Sequence, residues 1–192
     1  MTTIKPIETI YNGYRFRSRL EARWAVFFDA LGIPYEYEPE GLCINGINYL
    51  PDFYLPDCKQ FFEVKGIMSD EDKEKINALI NAGYSVTVGY NNGEFIACDY
   101  WKDVCDPDID PYMEDPKTFF EQTTGESYLC QCNHCGKYWF MGDVGIWTCQ
   151  CCGVHDGDNF HVIIENGYYK RLEAWDVARR ARFEHGETPV AK

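Results

Sequence analysis

The chain has 192 residues, enough for one ordinary domain and a small accessory unit. Hydrophobic residues make up 45% of it and aromatic residues 16%, which excludes a disordered acidic tail and a fibrous protein. The formal net charge of −13 argues against a simple basic protein that coats nucleic acid. Most of the acidity lies in the middle of the chain, between two mildly basic ends.

The predicted compartment follows from what the sequence lacks and from its cysteines. No segment approaches the roughly 18 consecutive apolar residues of a membrane span, and the first residues lack the apolar centre of a signal peptide. We therefore expect a cytoplasmic protein that does not contact membranes. Six of the ten cysteines lie between Cys130 and Cys152. Such clustering in a reducing compartment favours a metal site over disulfides.

The first predicted element is a helix over residues 18–31, with Ser18 as its N-cap and Glu21 at the capping-box spacing. Apolar residues recur along it every three to four positions, and Gly32 and Pro34 end it. Extended segments follow at residues 35–38, 42–50 (as a hairpin), 52–55 and 60–65. A second helix over 69–82 leads to strands at 85–90 and 94–98. This order predicts an α/β core with a mixed sheet.

Three acidic residues and a lysine form the first candidate site. Alternation along strand 60–65 puts Glu63 and Lys65 on the same face. Asp52 lies in a strand that can be the hairpin neighbour, so Asp52 and Glu63 can converge on one cation. Mg²⁺ prefers such oxygen ligands, and a lysine beside it can orient the water that attacks a phosphodiester. Glu21, on the first helix, can hold the metal directly or through water.

The runs that carry these residues resemble the PD-(D/E)xK nuclease superfamily, and most closely its small phage-encoded members. The resemblance covers residues 11–98, about half of the chain. Pro51–Asp52 matches the proline–aspartate of the family, Glu63–Val64–Lys65 its (D/E)xK triplet and Glu21 its helix glutamate. None of these positions departs from the family pattern.

The resemblance implies a restriction-endonuclease-like αβββαβ core and an (endo)deoxyribonuclease that depends on Mg²⁺ or Mn²⁺. Asp52 and Glu63 are then the expected metal ligands, together with the backbone of Val64, and Lys65 assists the attacking water. DNA is the expected substrate, and a host or phage protein is a candidate partner. A phage-encoded member is expected to act in the cytoplasm of its host cell.

Basic side chains are candidates for phosphate contacts at both ends of the chain. Four arginines lie just before or within the first helix, where they can bind phosphates: Arg15, Arg17, Arg19 and Arg23. For any single one of these residues, an ordinary solvated surface position is an equally good explanation. A terminal helix is predicted over residues 168–184. For its basic residues a solvated face is favoured slightly over phosphate binding: Lys170, Arg171, Arg179, Arg180 and Arg182. Its expected packing residues are Leu172, Trp175 and either Val177 or Ala178.

Two C-x2-C pairs separated by 13 residues predict a zinc ribbon with the ligands Cys132, Cys135, Cys149 and Cys152. A glycine follows each pair and permits a tight turn. Four thiolates close a tetrahedral site, so the zinc is expected to be structural. Because Cys151 adjoins Cys152, the ligand set could be shifted by one position. Five nearby residues are nevertheless expected not to be zinc ligands: Cys130, Cys151, His134, His155 and His161. A disulfide framework is the alternative for the whole cluster.

The predicted organisation is a nuclease core over 1–102, an acidic linker over 103–127, the zinc ribbon over 128–166 and a C-terminal helix and tail over 167–192. Two other functions stay open. One is an acidic protein-binding module that mimics DNA or blocks a defence system. The other is a nuclease that is active only within a larger complex.

Overall fold

A computed structural model describes residues 6–44, 46–98, 127–142, 148–154 and 164–183. In these ranges the helices are α1 (Arg19–Leu31), α2 (Asp70–Asn81) and α3 (Tyr168–Arg180). The strands are β1 (Thr9–Tyr11), β2 (Tyr14–Phe16), β3 (Glu36–Tyr37), β4 (Leu42–Ile44), β5 (Ile47–Tyr49), β6 (Phe53–Leu55), β7 (Gln60–Val64), β8 (Ser85–Gly89), β9 (Phe95–Cys98), β10 (Ser127–Cys132), β11 (Tyr138–Gly142) and β12 (Ile164–Asn166). The predicted linker over 103–127 lies outside the described residues except for Ser127.

Helix α1 forms where the sequence predicts it. Ser18 is the N-cap, and its Oγ accepts a hydrogen bond from the Glu21 N–H at 3.2 Å. The helix ends at Gly32, whose left-handed φ of 68° lets its N–H bond to the last turn. The apolar face carries fully buried aromatic side chains, including Trp24 and Phe28. Both predicted ends of this helix are therefore confirmed to within a residue.

The central sheet has five strands in the order β3-β6-β7-β8-β9. Strands β6 and β7 pair antiparallel, with Phe53 opposite Phe62. Strands β7 and β8 run parallel, and α2 connects them. The hairpin β4–β5 is inserted between β3 and β6 and pairs only with itself among the described strands. The structure thus confirms the predicted α/β architecture with a mixed sheet.

Alternation along β7 divides its side chains between two cores. Phe62 packs on α1, with its ring 4.7 Å from that of Trp24. Phe61 points to the opposite face, where it joins the buried apolar residues of α2, such as Leu79. Each face of the sheet is therefore covered by one helix, and β7 runs through the middle.

The cysteine-bearing strands pack against this core. Strands β11, β10 and β12 form a second antiparallel sheet, and residues of both sheets belong to one hydrophobic cluster. The Gln60 side-chain amide donates to the Phe140 carbonyl at 2.7 Å and accepts from the Phe140 N–H at 3.1 Å. Helix α3 lies on α1, with Trp175 stacked 4.9 Å from Trp24. The predicted core and ribbon segments thus share one interior.

Two features differ from the sequence prediction. The hairpin β1–β2 was not predicted, although Asn12 and Gly13 both have positive φ and supply the turn. Helix α3 ends at Arg180 rather than at residue 184. Its side chains Leu172 and Val177 are 42% and 40% exposed, so they do not pack the helix down.

Other residues of α3 make its contact with the core. Trp175 packs against the main cluster and Ala178 is fully buried, as predicted. Arg171 is only 9% exposed, because its guanidinium donates to the Gly93 carbonyl at 3.0 Å and pairs with Glu94 at 3.1 Å. Among the described helices, none is long and apolar enough to cross a membrane.

Candidate functional site

Asp52 and Glu63 lie side by side where β6 and β7 pair. The register that sets Phe53 opposite Phe62 puts Asp52 opposite Glu63 one step further along the ladder. The Asp52 N–H donates to Glu63 Oε1 at 3.0 Å. The two residues are only 5% and 2% exposed. The predicted hairpin neighbourhood of these strands is confirmed, and we call the two residues the carboxylate pair.

The Asp52 carboxylate has one backbone partner and one side-chain partner. The Val64 N–H donates to Oδ2 at 2.8 Å. Arg17 Nη2 lies 2.6 Å from Oδ1, and Arg17 Nε lies 2.8 Å from a Glu38 oxygen. Arg17 therefore bridges two carboxylates at the edge of the site. A backbone ligand role for Val64 stays a prediction, since its contact with Asp52 is made by the N–H and not by the carbonyl.

Glu63 is fixed by a tyrosine and a lysine. The Tyr49 hydroxyl, from the inserted hairpin, donates to Oε1 of Glu63. Lys65 Nζ lies 3.3 Å from Oε2 of Glu63 and 3.1 Å from Oδ1 of Asp72, at the start of α2. Glu63 and Lys65 thus share a face of β7, as strand alternation predicts.

Glu21 occupies a separate position at the start of α1. Its carboxylate accepts from the Tyr37 hydroxyl at 2.6 Å, from the Ser18 hydroxyl at 2.8 Å and from the Arg17 N–H at 3.0 Å. The side chain of Arg17 then continues to Asp52. Among the described residues, the carboxylate oxygens of Glu21, Asp52 and Glu63 do not all lie within 4.8 Å of one another.

Negative charge exceeds positive charge in this network. Two cations, Arg17 and Lys65, contact or adjoin five carboxylates: Glu21, Glu38, Asp52, Glu63 and Asp72. Burial, followed by the charge of Glu63, raises the pKa of Asp52 to about 7. Burial opposes the charge on Lys65, but Glu63 and Asp52 outweigh it and raise the pKa of that ammonium. A bound divalent cation would relieve this repulsion, so the oxygen donors fit Mg²⁺ or Mn²⁺.

The four predicted cysteines meet at one point, which we call the cysteine cluster: Cys132, Cys135, Cys149 and Cys152. Their sulfurs all lie within 4.8 Å of one another. The Sγ of Cys132 is 3.8 Å from that of Cys152, and the Sγ of Cys135 is 3.7 Å from that of Cys149. Zinc–sulfur bonds of about 2.3 Å in a tetrahedron separate the sulfurs by about 3.8 Å. The cluster can therefore hold a zinc ion.

Both C-x2-C turns have the same backbone geometry. The Gly136 N–H donates to the Cys132 carbonyl at 2.7 Å, and the Gly153 N–H donates to the Cys149 carbonyl at 2.8 Å. Both glycines adopt positive φ, of 74° and 76°. A backbone hydrogen bond from Val154 lowers the pKa of Cys152 to about 6, which favours its thiolate.

The neighbouring cysteines and histidines lie outside the cluster or outside the described residues. Cys130 is buried in the core through strand β10, and Cys151 Sγ approaches the Tyr138 carbonyl at 3.7 Å. His134 Nδ1 lies 3.8 Å from the Sγ of Cys152. His155 and His161 fall among residues that the structure does not describe. All cysteines of the described ranges are free, which argues against the disulfide alternative there.

The four arginines predicted near the first helix separate into three environments. Arg15 is exposed and lies 3.7 Å from Glu8, while Arg17 contacts the carboxylate pair. Arg19 and Arg23 line a different cavity, together with residues at the end of α3. A common phosphate-binding role for all four stays a prediction.

Four residues of the carboxylate network were not predicted from the sequence: Tyr37, Glu38, Tyr49 and Asp72. Asp72 forms a reciprocal capping box with Ser69, a local signal that marks its position at the start of α2. The two tyrosines give no such signal, because their partners lie 16 and 14 residues away.

No family model matches the chain, and neither the curated proteins nor the solved structures contain a match to it.

Proposed function

We propose that the protein is a Mg²⁺- or Mn²⁺-dependent nuclease that hydrolyses phosphodiester bonds in DNA. The observation that carries the proposal is the buried carboxylate pair, with Lys65 on the same strand face as Glu63. The order of elements from α1 to β8 supports a restriction-endonuclease-like core around it. The cysteine cluster is assigned a structural zinc, because four thiolates leave no open position for substrate.

The proposed roles follow from the contacts of each side chain. Asp52 and Glu63 would hold the metal, and the Val64 N–H and the Tyr49 hydroxyl keep the two carboxylates in place. When bound, such a metal polarises the phosphoryl group and lowers the pKa of an attacking water. Lys65 stays protonated, so its ammonium can orient that water and offset charge that develops on phosphate.

Arg17 and Glu21 are assigned positioning roles in this proposal. Arg17 contacts the Asp52 oxygen Oδ1, so this guanidinium competes with a cation for the same carboxylate. Glu21 holds the backbone N–H of Arg17 and the hydroxyl of Tyr37. Glu21 thereby fixes the segment from which the Arg17 side chain reaches the site.

The experiment is cleavage of supercoiled, linear, single-stranded and four-way-junction DNA with Mg²⁺ or Mn²⁺. We expect Asp52→Ala to reduce the rate at least about 10²-fold, because it removes a metal ligand. We expect Lys65→Ala to reduce it as well, with the metal dependence preserved. The matched controls are Asp70→Ala and Lys75→Ala, which change exposed residues of α2 outside the network.

Zinc content and circular dichroism establish that each variant is folded. Cleavage that persists in Asp52→Ala would refute the proposed site. No cleavage of any substrate by folded, zinc-loaded wild type, with either cation, would refute a nuclease that acts alone.

The second candidate is an acidic protein-binding module, and the observation that favours it is the net charge of −13, which repels a polyanion. In that function the protein would mimic DNA or dock on a basic partner. Binding to such a partner should survive both Asp52→Ala and Lys65→Ala. A nuclease that needs a partner differs from it, because addition of the partner would then produce cleavage that Asp52→Ala abolishes.

A further inference from the structure

Five arginines meet in a cavity between the start of α1 and the end of α3. The cavity has a volume of about 280 Å³ and is lined by Arg19, Arg23, Arg179, Arg180, Arg182 and Phe183. We call it the arginine pocket. The two groups of arginines lie more than 150 residues apart in the sequence, and the packing of α3 on α1 brings them together. Such a concentration of positive charge contrasts with the net charge of −13.

One acidic side chain of the described residues forms ion pairs with two of the five arginines. Asp176 pairs with Arg179 at 2.9 Å and with Arg180 at 2.6 Å. Both arginine side chains remain largely exposed, at 69% and 77%. The Nε atom of Arg23 is buried and has no hydrogen-bond partner in the described part of the chain. An anion in the pocket would supply acceptors and reduce the repulsion among the guanidinium groups.

The lining suits an oxyanion such as phosphate. Guanidinium groups present parallel N–H donors that match phosphate oxygens in pairs. Arg19 is the first residue of α1, so the positive end of the helix dipole adds to the attraction. Arg171, the other arginine of α3 near the core, is held by Gly93 and Glu94 and does not line the pocket.

The pocket lies across α1 from the carboxylate network. Arg19 and Arg23 are four residues apart and share one side of the helix, whereas Glu21 projects from the opposite side. A helix with its side chains is about 10–12 Å across. A nucleic-acid strand that spans this width advances about three nucleotides, at about 3.4 Å of duplex axis for each.

We propose that the arginine pocket binds the phosphate backbone of the DNA substrate, at least about three nucleotides from the bond at the carboxylate pair. The inference rests on the proposed nuclease function for the identity of the substrate. It assigns the protein a local anchor that overcomes the repulsion between DNA and the acidic remainder of the chain.

The test measures the affinity of the full-length, zinc-loaded protein for a short fluorescent DNA duplex, without Mg²⁺ or Mn²⁺, over a range of KCl concentrations. The pocket variant carries Arg179→Gln and Arg182→Gln. The control carries Lys59→Gln and Lys137→Gln, which removes two positive charges from exposed positions outside the pocket. We expect the pocket variant to bind about tenfold or more weakly and its log–log salt slope to fall by about 2. We expect the control to keep the slope of the wild type.

Several outcomes overturn the inference. One is a wild type that binds no DNA, and another is a pocket variant with the affinity and slope of the control. A third is a pocket that binds inorganic phosphate but not DNA. In that case phosphate raises the thermal stability of the wild type but not of the pocket variant, while both proteins bind DNA equally.

A parallel cleavage assay separates this inference from the nuclease proposal. Pocket-dependent DNA binding without any cleavage would support the anchor and refute the nuclease. Cleavage by the wild type together with unaltered binding by the pocket variant would refute the anchor and support the nuclease.

Discussion

The cysteine cluster and the carboxylate pair are both candidate cation sites, but they are assembled over different distances along the chain. Each half of the cysteine cluster is a short turn with its own backbone hydrogen bonds, such as that from Gly136 to Cys132. The carboxylate pair depends on side chains from β2 to α2, among them Arg17 and Asp72. One site is set mainly by local turns and the other by tertiary packing.

Charge compensation also differs between the two sites. Arg17 and Lys65 contact the carboxylate pair and balance part of its charge without a metal. Near the cysteine cluster, Lys137 interacts with Cys135 but forms its ion pair with Asp57 at 2.6 Å, and burial raises the pKa of Cys149. Loss of the metal should therefore destabilise the region around the cysteines far more than it destabilises the carboxylate site.

Cys149→Ser should give the largest effect. Cys149 is 1% exposed and its loss leaves three thiolates in the cluster. Structural zinc contributes on the order of 10 kcal/mol in zinc-finger peptides, which is comparable with the whole stability of a domain. We expect the variant to lose its zinc and the packing of β10–β12, as measured by metal analysis and near-ultraviolet circular dichroism.

Cys151→Ser is the control for that variant. Its sulfur lies near the Tyr138 carbonyl and not within the cluster, so about one zinc per chain should remain. Equal loss of zinc from both variants would show that the ligand set is shifted by one position.

The zinc ligands were the easier of the two sites to predict. A C-x2-C turn fixes its two sulfurs locally, and only the meeting of two turns requires the fold. The prediction of Asp52, Glu63 and Lys65 as neighbours needed one further step, the antiparallel pairing of β6 with β7. The tyrosine that holds Glu63 comes from an inserted hairpin, and no spacing rule connects it to β7.

Helix α3 shows why apolar periodicity alone does not predict which of its side chains are buried. Leu172 and Val177 were expected to face the core, but Arg171 takes a buried position instead. Its partners are the carbonyl of Gly93 and the carboxylate of Glu94, about 80 residues earlier in the chain. A buried arginine of this kind depends on partners that the helix sequence does not contain.

The carboxylate pair should give a pH-dependent stability in the absence of Mg²⁺. The folded-state pKa of Asp52 is raised from 3.8 to about 7, so the folded protein binds this proton more tightly than the unfolded chain. The stabilisation is present at low pH and is lost as the pH rises through the folded pKa. Between pH 5 and pH 7 the loss should amount to about 2 kcal/mol, because the slope of 1.36 kcal/mol for each pH unit falls off as Asp52 ionises near pH 7.

Urea unfolding of the wild type and of Asp52→Asn at each pH measures this contribution. Both proteins retain the zinc ligands, so protonation of those ligands cancels in the difference between their free energies of unfolding. Saturating Mg²⁺ should remove the loss near pH 7, because the cation binds the ionised carboxylate. A wild type and a variant with parallel pH profiles would contradict the raised pKa of Asp52.

Gly93→Ala tests whether the two sites share one folding unit. A Cβ at Gly93 would meet the Trp175 ring at 2.4 Å, so α3 would have to move away from the sheet. Gly13→Ala is the matched control, because φ is +84° at Gly13 and +81° at Gly93 but nothing lies within 4 Å of a Cβ at Gly13. Both variants carry the cost of a left-handed backbone, about 1 kcal/mol. Gly93→Ala should cost about 1–3 kcal/mol more, from the displaced ring.

Because Trp175 also packs against Trp24, we expect one cooperative thermal transition that shifts as a whole. A transition that splits in two for Gly93→Ala would show that the sheet with the carboxylate pair and the region with the cysteine cluster unfold independently.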